Sequence, residues 1–271
     1  YNCPIVTSYP ETAKANLAGL RDPAVVFYHP FLPLPQRAPL IKRLRQELAG
    51  EKICRQELSN AVDAAYQELG RYKQDIRQAG QAALDYIQRT NARGVILAGR
   101  PYHIDPEIHH GLPDLVQNQG LVILSEDAVS HLGKIERPLR VVDQWTYHSR
   151  LYAAAYFCLS QPNLEFIQIN SFGCGLDAVT IDQVREILQT HQKIYTTIKL
   201  DEISNLGAAR IRLRSLLATR NERRTPAKNG QDDLLVSNQP NNTAATAQPR
   251  RTLLAPQLSP IHFQFLSAAF A

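Results

Sequence analysis

The chain has 271 residues, 44% of them hydrophobic and 20% charged, the composition of an ordinary globular protein with room for one large core or two small ones. No apolar run approaches the roughly 20 residues needed to cross a bilayer, and no basic-then-apolar leader opens the sequence, so a cytoplasmic protein with no membrane partner is expected. The net charge of +5 invites a nucleic-acid reading, but residues 219–251 hold six Lys/Arg (Arg220, Arg223, Arg224, Lys228, Arg250, Arg251) against three acids (Glu222, Asp232, Asp233), and six minus three leaves +3 of the total in one stretch. That stretch also carries SNQPNNTAATAQP, too polar to build a core, and reads as a disordered linker; no nucleic-acid partner is expected.

The sequence opens on Tyr1 and holds no Met, which reads as a piece of a longer chain. Cys3 precedes Pro4, and Cys-Pro is a frequent local sequence at iron–sulfur ligands. The first apolar run, AVVFYH at residues 24–29, predicts a strand. Next comes the clearest helix, at about residues 54–90. Leu58, Val62, Ala65, Leu69, Tyr72, Ile76, Ala79 and Ala83 are spaced alternately four and three apart, a heptad-like seam. At about 1.5 Å per residue such a helix reaches some 50 Å. It reads as one long helix, either continuous or broken near Gly70 or Gly80, packing on another lobe or covering the sheet. Cys54, beside Lys52 and Arg55, reads as incidental.

Four more short runs predict strands: GVILAG (94–99), LVILSE (121–126), EFIQINS (165–171) and IYTTIKLD (194–201). They are β-branched and nearly continuous, as strands buried on both faces are, and helical stretches separate them. The fold class is therefore α/β: a Rossmann-like, mainly parallel sheet with helices on both faces, the long helix added. Residues 1–218 form this lobe, 219–251 the linker, and the TLLAPQLSPIHFQFLSAAFA stretch at 252–271 the first strand and helix of a second lobe.

Several groups could carry chemistry. The loop GRPYHIDPEIHHG at residues 99–111 offers His103, Asp105, Glu107, His109 and His110, yet lacks the one-face spacing of a helical metal motif, and Pro101 and Pro106 stiffen it. It reads as a polar loop at the ligand edge of the sheet. Cys158, in LYAAAYFCL, reads as core. Gly173-Cys174-Gly175 follows a strand and lets backbone approach a ligand closely; its thiol is either functional or a plain turn cysteine. Thr180 and Gln183 show a capping-box pattern for the next helix. Arg210, Arg212 and Arg214 lie two apart; Arg210 and Arg214 share a helix face, serving either a helix C-terminus or a phosphate-bearing ligand such as coenzyme A. There is no GxGxxG after a strand, no GxxxxGK[ST] and no GxSxG elbow, so a dinucleotide, a P-loop nucleotide and a serine-hydrolase site are not indicated.

The motifs YNCPIVTSYPE, GRPYHIDPEIHHGLPDLV, NSFGCGLDAV, KLDEISNLGAARIRLRS and LAPQLSPIHF, in this order, resemble those of acyl-CoA dehydratase activase-related proteins. In these, ATPase modules like the 2-hydroxyglutaryl-CoA dehydratase activator precede a dehydratase-like region. The resemblance implies an iron–sulfur-binding module of an ATP-coupled low-potential reductase or 2-hydroxyacyl-CoA dehydratase-like system of anaerobic metabolism, accepting electrons from an activator ATPase. The cluster would be [4Fe–4S] or double-cubane, with Cys3 and Cys174 as metal ligands and Gly173 and Gly175 as its backbone neighbours. Arg210 and Arg214 are the candidate cofactor-binding cations, acyl-CoA is a candidate further partner, and the oligomeric state is open. The alternatives are a scaffold lobe that docks activator subunits without catalysis, and an acyl-CoA-binding lobe without its own cluster.

Overall fold

The computed structural model describes residues 4–140, 143–171, 174–200 and 206–224. The expected second lobe and most of the expected linker lie outside the described residues. In chain order the helices and strands are α1 (Pro4–Asn16), α2 (Arg37–Glu47), α3 (Arg55–Thr90), β1 (Arg93–Ala98), α4 (Pro106–His109), α5 (Leu112–Gln117), β2 (Leu121–Ser125), α6 (Glu126–Val129), α7 (Thr146–Leu159), β3 (Leu164–Ser171), α8 (Gly175–Thr190), β4 (Tyr195–Leu200) and α9 (Gly207–Arg224).

The four strands form one parallel sheet in the order β2-β1-β3-β4. Alternate residues leave it on opposite sides. Ile96, Ala98, Leu164 and Phe166 pack with the apolar faces of α3, α6, α7 and α8 on one side; Val95, Ile167, Ile169 and Ile198 pack with α5 and α9 on the other. Both faces are covered, which explains why the strands read as unbroken apolar runs. Phe166, Ile96 and Ile167 are fully buried, each contributing about 1.5–3 kcal/mol of hydrophobic stabilisation.

The long helix runs without a break through Gly70 and Gly80. Gly80 is instead a point of close approach, because a Cβ there would lie 2.8 Å from the carbonyl oxygen of Ala128 in α6. Cys54 is the N-cap of α3: its sulfur accepts from the Glu57 N–H, and the Glu57 carboxylate accepts from the Cys54 N–H, a reciprocal capping box. The seam divides. Leu58 and Val62 pack against Leu40 and Ile41 of α2, Ile76, Ala83 and Ile87 join the sheet's core, and Leu69 and Tyr72 between them stay exposed.

Three expectations are corrected. Residues 24–29 are not a strand; among the described residues no strand pairs with them, and a strand without a ladder does not form. Thr180 and Gln183 do not cap a helix. Helix α8 begins five residues earlier, at Gly175, so the Thr180 hydroxyl donates to the Leu176 carbonyl inside the helix and Gln183 accepts from the backbone of Arg140. Helix α9 continues through Arg224, into the stretch assigned to the linker. Arg220 explains why: it is 5% exposed, its Nε lies 3.1 Å from buried Glu165 and its Nη2 donates to the Pro162 carbonyl, tying α9 to the start of β3.

Candidate functional site

In this strand order the chain leaves β1 toward β2, returns across the sheet and lays β3 on the other side of β1. The crevice between the carboxyl ends of β1 and β3 is thus a topological switch point, where open α/β sheets bind ligands. Two loops flank it: residues 99–111 after β1, and the segment joining β3 to α8. Both lie at the same edge, as expected from a parallel sheet, and they touch. The Arg100 guanidinium, one residue beyond Gly99, donates through Nη2 to Cys174 Sγ at 3.8 Å.

Arg100 is the centre of a buried polar set. Its side chain is 9% exposed, and its Nε lies 3.0 Å from Oδ1 of Asp177, itself 7% exposed in the first turn of α8. Burial pushes the Asp177 carboxyl up from its ordinary range, and the Arg100 charge opposes this. His148, in the first turn of α7, brings Nε2 within 3.9 Å of the same oxygen, its ring edge-on to Trp145. On the other side, the Arg100 backbone N–H donates to His103 Nδ1 at 2.8 Å, which places the ring proton of neutral His103 on Nε2. A Cβ on Gly99 would lie 2.4 Å from that nitrogen, so only glycine leaves the imidazole its place. At the end of β2, buried Glu126 receives a hydrogen bond from Arg150 at 2.7 Å; burial pushes its carboxyl up to about 7, against the pull of Arg150.

Burial, and next the charge of Arg100, hold both His103 and His148 down at about 4. A histidine depressed in the folded state favours folding above its unfolded value, near 6.5, and that contribution is lost as pH falls toward 4. Glu126 acts in the opposite sense between about 4.5 and 7, its protonated form being favoured in the fold. Acid unfolding between pH 6.5 and 4 is therefore expected to be steeper in Glu126→Gln, which removes the compensating group, and shallower in His148→Phe. Urea titrations across that range check both directions; an unchanged slope in both variants contradicts the assignment.

The candidate residues fare differently. Cys174 is the half-buried N-cap residue of α8 at the switch point, and exposed Gly175 follows it; among the described residues, a Cβ built on Gly175 meets nothing within 4 Å. Cys3 and Gly173 lie outside the described residues. Arg210 and Arg214 occupy the exposed face of α9, while Ala209 and Leu213 face the sheet. Cys158 is fully buried in α7, its thiol donating to the Leu164 carbonyl, and burial pushes it up to about 12. In the 99–111 loop, Asp105 caps α4 by accepting from the Glu107 N–H, and His109 Nδ1 accepts from Gly111, so these side chains serve the loop itself. Among the described residues, no group of three or more His, Cys, Asp or Glu is arranged to hold a metal ion. A surface concavity of about 550 Å³ runs along α3 past Ala64, Ala65, Gln67, Glu68 and Arg71, remote in sequence from this edge. Sequence reasoning missed the polar set of Arg100, His148 and Asp177, and separately the buried Glu126–Arg150 pair; the available signal was that Arg100 and Glu126 stand one or two places past apolar strands.

The sheet and its edge define a doubly wound α/β module with a cysteine and a buried arginine at its switch point. Residues 1–129 match the family described as the CoA enzyme activase uncharacterised domain, in agreement with the resemblance to acyl-CoA dehydratase activase-related proteins. The match spans α1 through α6 and ends before β3, so Cys174 lies outside it. No curated protein and no solved structure matches the chain. Among the described residues, no helix is long and apolar enough to cross a membrane.

Proposed function

We propose that this chain is the iron–sulfur-binding module of a CoA-enzyme activase-related system, accepting an electron from an activator ATPase. One observation carries the reading: Cys174 stands at the switch point, at the start of α8, with Arg100 donating to its sulfur and, among the described residues, open space over Gly175. The positive end of a helix and a guanidinium both attract an anionic group such as a metal-bound sulfide or thiolate. A bound cluster would supply one-electron chemistry. The chain's own part is then distinct: Cys174 holds iron, Arg100 donates a hydrogen bond to the ligating sulfur, and Asp177 keeps Arg100 in place. The described residues offer only this one thiol at the edge, so the remaining ligands come from elsewhere, Cys3 being this chain's candidate. The reaction served is a 2-hydroxyacyl-CoA dehydration or an ATP-dependent reduction. Arg210 and Arg214, exposed together on α9, suit the phosphates of an acyl-CoA.

Anaerobic iron and sulfide analysis of the full-length protein tests this. Cys174→Ala is expected to lose iron and keep its sheet; Cys158→Ala is expected to keep iron and lose about 1–2 kcal/mol of stability from a fully buried site. Iron retained in Cys174→Ala and lost in Cys158→Ala refutes the ligand assignment. No iron in the wild-type protein favours a non-catalytic scaffold lobe, and calorimetry with an acyl-CoA then separates that from an acyl-CoA-binding lobe.

A further inference from the structure

The segment before α2 does not build a core of its own. None of residues 5–39 is buried, and the stretch displays Ile5, Tyr9, Leu17, Val26, Phe31 and Leu34 at 56% to 80% exposure. Within it, residues 24–29 (AVVFYH) have the composition of a strand but form neither helix nor strand; the N–H groups of Ala24 and Val25 turn back onto Asp22, and the side chains of Tyr28 and His29 are held by Glu51 and Glu11. Among the described residues, residues 26–31 make no backbone hydrogen bond. Their N–H and C=O groups are open for pairing, and so large an apolar display on a soluble surface marks an interaction site. The charges of residues 4–36 balance, Lys14 and Arg21 against Glu11 and Asp22, which argues for a protein surface rather than an anionic polymer.

The same chain carries the complement. Among the described residues, strand β2 lies at an edge of the sheet and is hydrogen-bonded on one side only, to β1. Its residues, Leu121-Val122-Ile123-Leu124-Ser125, hold no charge, whereas β4 on the opposite edge carries exposed Lys199, a charge of the kind that blunts edges. An uncharged apolar edge of five residues is a template for another strand, and natural sheets cover such edges. We propose that residues 26–29 of one copy pair with the open edge of β2 in a second copy, and that the exchange is reciprocal. Each chain then gives one strand and receives one, closing a two-fold dimer whose sheets gain a fifth strand. The partner is a second copy because an exposed segment of strand composition, with no backbone hydrogen bonds over residues 26–29, and an uncharged apolar edge to receive it occur together in this chain.

The test uses sedimentation and backbone hydrogen exchange on the 271-residue chain. The wild-type protein is expected to sediment as a dimer across the micromolar range, with amide exchange in residues 26–29 slowed at least about tenfold on dimerisation. Val26→Pro removes one ladder donor at a position 73% exposed; it is expected to give a folded monomer with unchanged circular dichroism and unprotected amides there. A wild-type monomer overturns the proposal, whether residues 26–29 are protected or not. A dimer that survives Val26→Pro overturns it equally, because its interface then lies elsewhere.

Discussion

Asp177→Ala is expected to destabilise the fold by about 3–5 kcal/mol, the largest single effect at the switch-point edge. The cost does not measure the attraction in the pair. It arises because Arg100, 9% exposed, is left charged in a low-dielectric crevice with its nearest counter-charge gone. Arg100→Met with Asp177→Leu removes both charges and is expected to recover most of that loss, since apolar groups of similar volume replace a buried pair at little cost. Chemical denaturation of the three proteins decides it. A single variant no less stable than the double one shows the carboxylate to be dispensable and moves the anchor of Arg100 elsewhere. The comparison also bears on the site, because Arg100 is what links the loop after β1 to Cys174 at the head of α8.

Gly133→Ala is expected to cost about 3 kcal/mol or more, from contact rather than from backbone strain. Gly133 follows the 3₁₀ turn Ser130–Leu132 with φ −92°, a conformation open to any residue. Its added Cβ, however, would lie 1.8 Å from the carbonyl oxygen of Ala153 and 2.7 Å from the carbonyl carbon, both main-chain atoms in the middle of α7. Neither can swing aside as a flexible side chain could, so the turn and the helix must separate. Gly70→Ala is the matched control. It lies inside α3 with nothing within 4 Å of the new methyl, and is expected to stabilise by about 0.5–1 kcal/mol through helix propensity. Thermal melts of the two variants should move in opposite directions, and a Gly133→Ala melt at or above the wild-type temperature contradicts the close packing of α7 on that turn.

The sheet strands were legible in the sequence because burial on both faces leaves a local trace. GVILAG, LVILSE, EFIQINS and IYTTIKLD each lie within one or two residues of β1, β2, β3 and β4. The parallel arrangement followed from the helices between them, and with it the placing of two loops at one edge. The core role of Cys158 was legible for the same reason, since the apolar helix around it is a local pattern.

Tertiary structure alone decided what depends on partners distant in sequence. Residues 24–29 have strand composition, but a strand exists only through hydrogen bonds to another strand, and among the described residues their one backbone–backbone bond is a turn from Val25 to Asp22. Gly80 reads as a helix breaker until α6 is seen to need its missing Cβ. Thr180 and Gln183 match a capping pattern that is void because the backbone N–H groups they would serve are already bonded inside α8. Arg220 counts as linker charge in the sequence and is buried against Glu165, a partner 55 positions away. The polar set of Arg100, His148 and Asp177 left no local pattern at all. Its members come from the end of β1, the start of α7 and the start of α8, and only the crossing of the chain at the switch point brings Arg100 and Asp177 within ion-pair reach and His148 beside them, where burial gives the pairing its energetic weight.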